Sequence, residues 1–213
     1  MAKGLLIAAF DFSTAHADEF HDWYDLEHLP ERRAVPGFGA CERWIGDDKP
    51  TFSVATYDLD TVGVLRSQAY EAIAYANLSP WSKRVTAKCT RLLRFEGSQI
   101  GPGPAAAPAG AAGFLLNAMN VAPEVEADFN AWYNEEHIPA LARVPGTLSA
   151  RRFQSEGESG GTHRYVAVYH LASPDVPRSA AWKEAANSAW TDRLRPHFRD
   201  HLRILTTRYV RAA

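Results

Sequence analysis

The chain predicts an α+β fold in which one ferredoxin-like βαββαβ unit is written twice. Three observations carry this: a repeat at constant offset, the same order of strand-like and helix-like segments in both halves, and a Pro/Gly/Ala tract between them. Residues 18–46 laid over 127–155, an offset of 109, match Phe20, Trp23, Tyr24, Glu27, His28, Pro30, Val35, Pro36, Gly37 and Arg43 with Phe129, Trp132, Tyr133, Glu136, His137, Pro139, Val144, Pro145, Gly146 and Arg152. The organisation that follows is a first repeat over 1–97, a linker over 98–112 and a second repeat over 113–213.

Within the first repeat, 4–12 reads as a strand and 16–34 as a helix, followed by strands over 38–45 and 51–59, a second helix mostly within 61–83 and a last strand over 89–95. The second repeat follows the same plan with 114–121, 124–143, 147–153, 164–171, 177–199 and 203–210. The runs Leu5 to Phe10, Phe114 to Leu116 and Tyr165 to Tyr169 are apolar on both parities. A sheet covered on one face alternates apolar and polar side chains, so these strands should be covered on both. Helices cover one face; the economical cover for the other is the second repeat's sheet, the two sheets packed face to face with helices outside. In ferredoxin-like strand order Cys41 and Cys89 fall near opposite edges, too far apart to bond.

Composition excludes several classes. Twenty-three basic against 25 acidic side chains give a net charge of −2, so no basic field exists to attract nucleic acid. Two cysteines in 213 residues are far from a disulfide scaffold and suit a reducing, cytoplasmic setting. The apolar N-terminal stretch is too short to span a membrane, and no membrane partner is expected. Neither a Gly-rich phosphate loop, a Gly-x-Ser-x-Gly elbow nor a Cys-x-x-Cys pair is present, which argues against nucleotide cofactors, hydrolase triads and zinc ribbons.

Candidate site residues come from the repeat. At 100° per residue Phe20, Trp23, Tyr24, Glu27 and His28 share an arc of about 140° on the first helix, and their counterparts repeat it. Aromatic stripes usually fill space, and Trp23, Tyr24, Trp132 and Tyr133 double as candidate ligand walls. A carboxylate and an imidazole on such a face are costly to bury unless paired or used, which singles out Glu27 with His28 and Glu136 with His137. Pro30 and Pro139 follow two residues later and should kink or restart the helix, leaving carbonyls beside the imidazole. A histidine so placed can be held in one tautomer, oriented by the glutamate, and used for proton transfer. The purely structural alternative is a helix-end histidine stabilised by the dipole.

Other matched positions extend the list. Asp11 and Asn120 end the first strands, where they either line a pocket or cap a turn. Tyr57 and Tyr169 match on the third strands and can polarise a carbonyl or simply pack. Arg43 and Arg152 can clamp a carboxylate or pair with Glu27 and Glu136. Asn117 stands where the first repeat has Ala8, and His170 follows Tyr169, so the second copy should carry more pocket polarity. His21, Asp25 and His28 have metal-ligand spacing, as do His197 and His201, but the former set is not repeated and the latter lacks a third ligand; no metal is expected.

The pattern Phe-x-x-Trp-Tyr-x-x-Glu-His-x-Pro, then Val-Pro-Gly and an arginine-aromatic strand (Arg43-Trp44, Arg152-Phe153), resembles the EthD-like members of the dimeric α+β barrel superfamily, once per repeat. The resemblance implies a pseudo-dimeric α+β barrel, a pocket beside the first helix of each unit, and the helix-end histidine as acid-base group. The superfamily includes cofactor-free oxygenases, muconolactone-type isomerases, polyketide cyclases and haem-using branches. Together with the residues, this leads to an expected lyase, isomerase or cyclase without cofactor, acting on a small apolar, aromatic or polyketide-like compound. The alternatives are a non-catalytic binding or accessory protein with the same pocket and a haem-using enzyme with an axial histidine. The sequence leaves open whether the pseudo-dimeric chain forms a homodimer.

Overall fold

The computed structural model describes residues 3–156 and 162–211. The first repeat contributes strands β1 (Gly4–Asp11), β2 (Phe38–Gly46), β3 (Phe52–Leu59) and β4 (Thr90–Gln99). The second contributes β5 (Gly113–Val121), β6 (Thr147–Ser155), β7 (Tyr165–Leu171) and β8 (Phe198–Arg208). They close into one antiparallel barrel in the order β1-β3-β2-β8-β5-β7-β6-β4. Each repeat keeps the ferredoxin-like order, and the two sheets do more than face each other. Their edges bond: Trp44, Ile45 and Gly46 of β2 pair with Arg208, Thr207 and Thr206 of β8, and Gly97, Ser98 and Gln99 of β4 pair with Ser155, Gln154 and Phe153 of β6. Closure satisfies edge groups that an open sheet would leave to solvent. Gly97 permits the second seam, since a Cβ there would meet the Gln154 carbonyl oxygen at 2.4 Å.

The strands apolar on both parities divide between two environments. Leu5, Ile7 and Ala9 point into the barrel with Trp44, Phe95, Phe114, Leu116, Phe153, Val166 and Val168. Trp44 and Phe114 stack there at 5.0 Å. Leu6 and Phe10 turn outward, where Phe20, Trp23 and Tyr24 of the first helix cover them, and Leu115 and Met119 meet Phe129, Trp132 and Tyr133 in the same way. An eight-stranded barrel leaves an interior that side chains can fill, and here large aromatics fill it.

The first helix of each repeat, α1 and α3, is an uninterrupted run of three segments. In α1 these are Ala17–Trp23, a π-helical turn Tyr24–His28 and Leu29–Arg33; in α3 they are Glu126–Trp132, the π-helical Tyr133–His137 and Ile138–Ala142. The prolines therefore do not break the helix. The wider turn, closed by Leu29 N–H on the Tyr24 carbonyl and Ile138 N–H on that of Tyr133, precedes each proline, which sits in the first turn of the next α-helical segment, where a missing N–H is tolerated. The Val-Pro-Gly turns that follow need Gly37 and Gly146 at φ +93° and +89°, a region closed to most side chains.

The second helices are shorter than the sequence pattern predicts. In the first repeat only α2 (Pro80–Ala87) is sustained, and in the second the run splits into α4 (Ala180–Ala186) and α5 (Ala189–Leu194). Serines divide these segments: Ser67, Ser79, Ser179 and Ser188 each accept a backbone N–H three residues on, starting a new turn. β8 also begins earlier than expected, so His201 lies on a strand and does not share a helix face with His197. Both cysteines are free thiols, Cys41 buried and Cys89 half-buried. No strand or helix occurs between β4 and β5, yet this tract is anchored: Ala111 is buried in the barrel core, and the Ala107 N–H donates to Asp58 at 2.7 Å. No described helix is long and apolar enough to cross a membrane.

Candidate functional site

Each repeat encloses a cavity between the first helix, the outer sheet face and the segments after the third strand. The first, about 230 Å³, is lined by Leu6, Ala8 and Phe10 of β1, Trp23, His28 and Arg32 of α1, Tyr57 of β3, and Tyr70, Arg91 and Arg94 among others. The second, about 320 Å³, is lined by Leu115, Asn117 and Met119 of β5, Trp132, Tyr133, His137 and Leu141 of α3, Trp182 and Ala186 of α4, and Arg195, Phe198, His201 and Arg203 among others. The repeat thus places His28 and His137 on equivalent cavity walls.

The histidines are held by aromatic rings and by no hydrogen bond from a described residue. The His28 ring lies 4.6 Å from Trp23 and 5.3 Å from Tyr24; His137 lies 4.2 Å from Trp132 and 5.2 Å from Tyr133. Nδ1 of His28 is buried without a partner. Burial, reinforced by the Arg152 guanidinium, pushes His137 down to about 3, and burial with Arg32 and Arg43 holds His28 well below the ordinary imidazole value. Both imidazoles are therefore neutral near pH 7, each with one nitrogen able to accept a proton.

The glutamates do not orient them. Glu27 accepts from Ser79 at 2.6 Å and Ser82 at 3.1 Å, and Glu136 accepts from Ser188. Ser79 and Ser188 are the residues that cap α2 and α5, so each carboxylate ties the first helix to the start of a later one. The adjacent tryptophans join the same tie, Trp23 donating to Ser82 at 2.8 Å and Trp132 to Thr191 at 3.2 Å.

Nor do the arginines meet the glutamates. Arg43 binds Asp25 at 2.8 Å and Nδ1 of His21 at 2.9 Å, and its guanidinium lies over Tyr24 and Tyr209. His21 and Asp25 are thereby engaged with an arginine, apart from His28; among the described residues no group of three or more His, Cys, Asp or Glu side chains gathers as a metal would need. Arg152, fully buried, donates to the neutral side-chain oxygens of Asn130 and Asn134 and lies over the faces of Phe129, Tyr133 and Tyr165, with no carboxylate partner among the described residues. Neither arginine lines the cavities described above.

The remaining candidates separate by strand parity. Tyr57 lines the first cavity with its ring 6.5 Å from His28, while Tyr169 packs on Trp182 at 5.2 Å outside the second cavity's lining; neither hydroxyl has a hydrogen-bond partner among the described residues, and burial raises both well above the ordinary phenol value. Tyr24 is buried behind the first cavity, with an unpartnered hydroxyl. Asp11 caps the turn at Ser13, and Asn120 ties β5 to Thr162, Arg164 and Asp200, so both serve the strand ends and not the cavities. His170 points into the barrel and binds Glu42 at 3.3 Å, which removes it from the pocket polarity expected of the second copy. Asn117 does reach the second cavity, where its amide oxygen is buried without a partner.

The sequence reading missed Arg94 and Arg203 on the cavity walls. Extending the 109-residue offset into the last strands finds them, since Leu93-Arg94 falls on Leu202-Arg203.

Residues 116–208, nearly all of the second repeat but under half of the chain, match the family model of a domain of unknown function, DUF4286. A search of curated proteins returns no match. Among solved structures the chain is similar to an anthrone oxidase-like protein, at 11% identity and TM-score 0.65, over 99% of this chain and 92% of that one. It is similar also to a protein assigned as a monooxygenase from Lactobacillus acidophilus NCFM, at 10% identity and TM-score 0.63, over 98% and 94%. A mutant chlorite dismutase from Candidatus Nitrospira defluvii matches at 13% identity and TM-score 0.56, over 98% and 92%. The chain has the dimeric α+β barrel fold. At these identities the likeness is one of fold, shared along nearly the whole of each chain.

Proposed function

We propose that the protein is a cofactor-independent lyase, isomerase or cyclase that moves a proton on a small, largely apolar aromatic or polyketide-like compound, with His137 as acid-base group. One observation carries the reading: in both repeats a neutral imidazole with no protein hydrogen-bond partner stands on the wall of an aromatic-lined cavity. A buried polar group left unpaired is costly, as Nδ1 of His28 is, and a ligand would relieve it; His137 stands on the equivalent wall of the second cavity, free to meet a ligand in the same way. The likeness of the helix motif to EthD-like proteins supports the same reading.

The second cavity is the larger, and Asn117 adds an amide that the first lacks. Trp132, Trp182 and Phe198 supply flat apolar walls for a ring. His137 accepts a proton from an acidified C–H or O–H and returns it to another position, while Asn117 fixes a polar substituent. Tyr57 can hydrogen-bond a carbonyl in the first cavity; its raised phenol stays protonated and acts as a donor. Haem does not fit this arrangement: at about 320 Å³ even the larger cavity is near the bottom of the range for ordinary small ligands, and a tryptophan ring lies against each histidine.

Phenylpyruvate, an aryl compound with an acidic benzylic C–H, tests the reading. Deuterium wash-in from D2O, followed by proton NMR, should exceed the buffer rate in the presence of the protein. Saturable binding with no added exchange would instead identify a binding protein.

A further inference from the structure

Arg203 and Arg94 occupy the same place in the two repeats, but their surroundings differ in charge. Arg94 is ion-paired with Glu96 and donates to the Tyr70 hydroxyl at 3.4 Å. At the position of Glu96 the second repeat has the apolar, buried Leu205, and no described residue hydrogen-bonds or ion-pairs with Arg203. Asp48, a carboxylate that acts on Arg203 electrostatically, is itself held by Arg178 at 3.1 Å. The cross-strand neighbour has changed as well. Arg94 stands opposite Ala8 in the β1–β4 register, whereas Arg203 stands opposite Asn117 in β5–β8. The Asn117 amide oxygen is buried, unpartnered and on the cavity wall, and an amide can turn its NH2 end to a ligand by rotating about its last torsion.

We infer that the second cavity takes an aromatic or polyketide-like ligand bearing an acidic group, a carboxylate or an ionised phenol, held by Arg203 with Asn117 beside it. This deepens the proposed function and rests on its choice of the second cavity. An exposed guanidinium on the cavity wall with no ion-pair partner among the described residues offers a charge-assisted hydrogen bond to an anion, and the asparagine opposite fixes its direction. The first cavity has its matching arginine neutralised. Of its other arginines, Arg32 is buried, lies 4.0 Å from Glu31 and donates to the Ile73 carbonyl, while Arg91 is as exposed as Arg203 but has no orphaned amide opposite it, so the unpartnered Asn117 beside Arg203 is what separates the two cavities. An anion bound near His137 would also raise that imidazole's proton affinity, turning a weak base in the empty cavity into a stronger one in the complex.

Isothermal titration of the full chain with 1-naphthoate and the uncharged 1-naphthamide tests the assignment. Naphthoate should bind about 10- to 100-fold more tightly than the amide. Arg203→Gln should remove that preference while leaving naphthamide affinity and the melting temperature unchanged, and Arg94→Gln and Arg91→Gln should leave both affinities unchanged. Equal binding of the two probes, or a preference that survives Arg203→Gln, overturns the inference; a preference abolished by Arg91→Gln puts the anion in the first cavity and overturns it too. Proton transfer is read separately. If phenylpyruvate exchange is accelerated but naphthoate shows no preference, the anion assignment falls and the role of His137 stands; the reverse pattern removes the chemistry and leaves the anion site.

Discussion

Arg151 of β6 donates to both carboxylate oxygens of Asp58 on β3, at 3.0 and 3.1 Å, and ties the two repeats together across the barrel interior. The equivalent contact on the other side is built from different groups, with a carboxylate in place of the arginine and a histidine held below its ordinary value by burial in place of the carboxylate. Glu42 holds the place of Arg151 and His170 that of Asp58; they meet at 3.3 Å, and Arg208 completes the group at 2.7 Å from Glu42. A duplicated chain can make such a replacement because its two interface positions mutate independently, which an ordinary homodimer's cannot.

Removing one partner from the Arg151–Asp58 pair should be far worse than removing both. Asp58→Ala leaves a guanidinium that is 1% exposed without its anion, and a loss of about 3–5 kcal/mol is expected. Asp58→Ala with Arg151→Met should recover most of it, as read by urea denaturation of the two variants.

Glu136 is expected to act as a tether. Ser188→Ala removes a hydrogen bond to a charged group, and a stability loss of about 1.5–3 kcal/mol should follow, with the His137 titration seen by NMR unmoved. A displaced His137 titration would return the glutamate to the orienting role expected from sequence.

Residues 98–112 were expected from composition to be a plain connector. With both seams paired and Ala111 seated in the core, a protease site inserted after Pro108 should, once cut, leave the two fragments together on a sizing column. Separate fragments would mean that the covalent link, and not the seams, holds the barrel.

Stability should fall on acidification through the ordinary histidine range. His28, His137 and His170 are all depressed by burial, so the folded chain binds fewer protons than the unfolded one once pH drops below about 6.5. Their contribution is complete above that pH and is lost progressively as pH falls towards the folded values. Thermal melts between pH 8 and 5 should show the decline, and His137→Gln should make it shallower.

Much of this was legible in the sequence because the relevant signals are local. Apolar side chains on both parities announced strands covered on both faces, and the repeat placed His28 and His137 on equivalent walls. Barrel closure is implied by the family resemblance and borne out by the structure, but no local pattern carries it, since Trp44 meets Arg208 only when edges far apart in the chain meet. The glutamates were misassigned for a related reason: a neighbour in sequence, histidine, was favoured over a serine 52 residues away. That distance is the same in both repeats, so the signal was present but needed the fold to be read. The prolines suggested a kink or restart because a continuous α-helix cannot absorb them, whereas a π-helical turn before each one leaves it in the first turn of the next α-helical segment.

The claim that His137 moves the proton is tested most directly by phenylpyruvate wash-in at saturating probe, measured for the wild type, His137→Ala and His28→Ala across pH 4–8. The account predicts that His137→Ala loses about 100- to 10,000-fold in kcat while still binding the probe, with His28→Ala much less affected. In the wild type the acid limb should lie at higher pH in kcat than in kcat/KM, because the bound anion raises an imidazole held at about 3 in the empty cavity. Full exchange retained by both alanine variants, or no acceleration by a saturated wild-type protein, would contradict it.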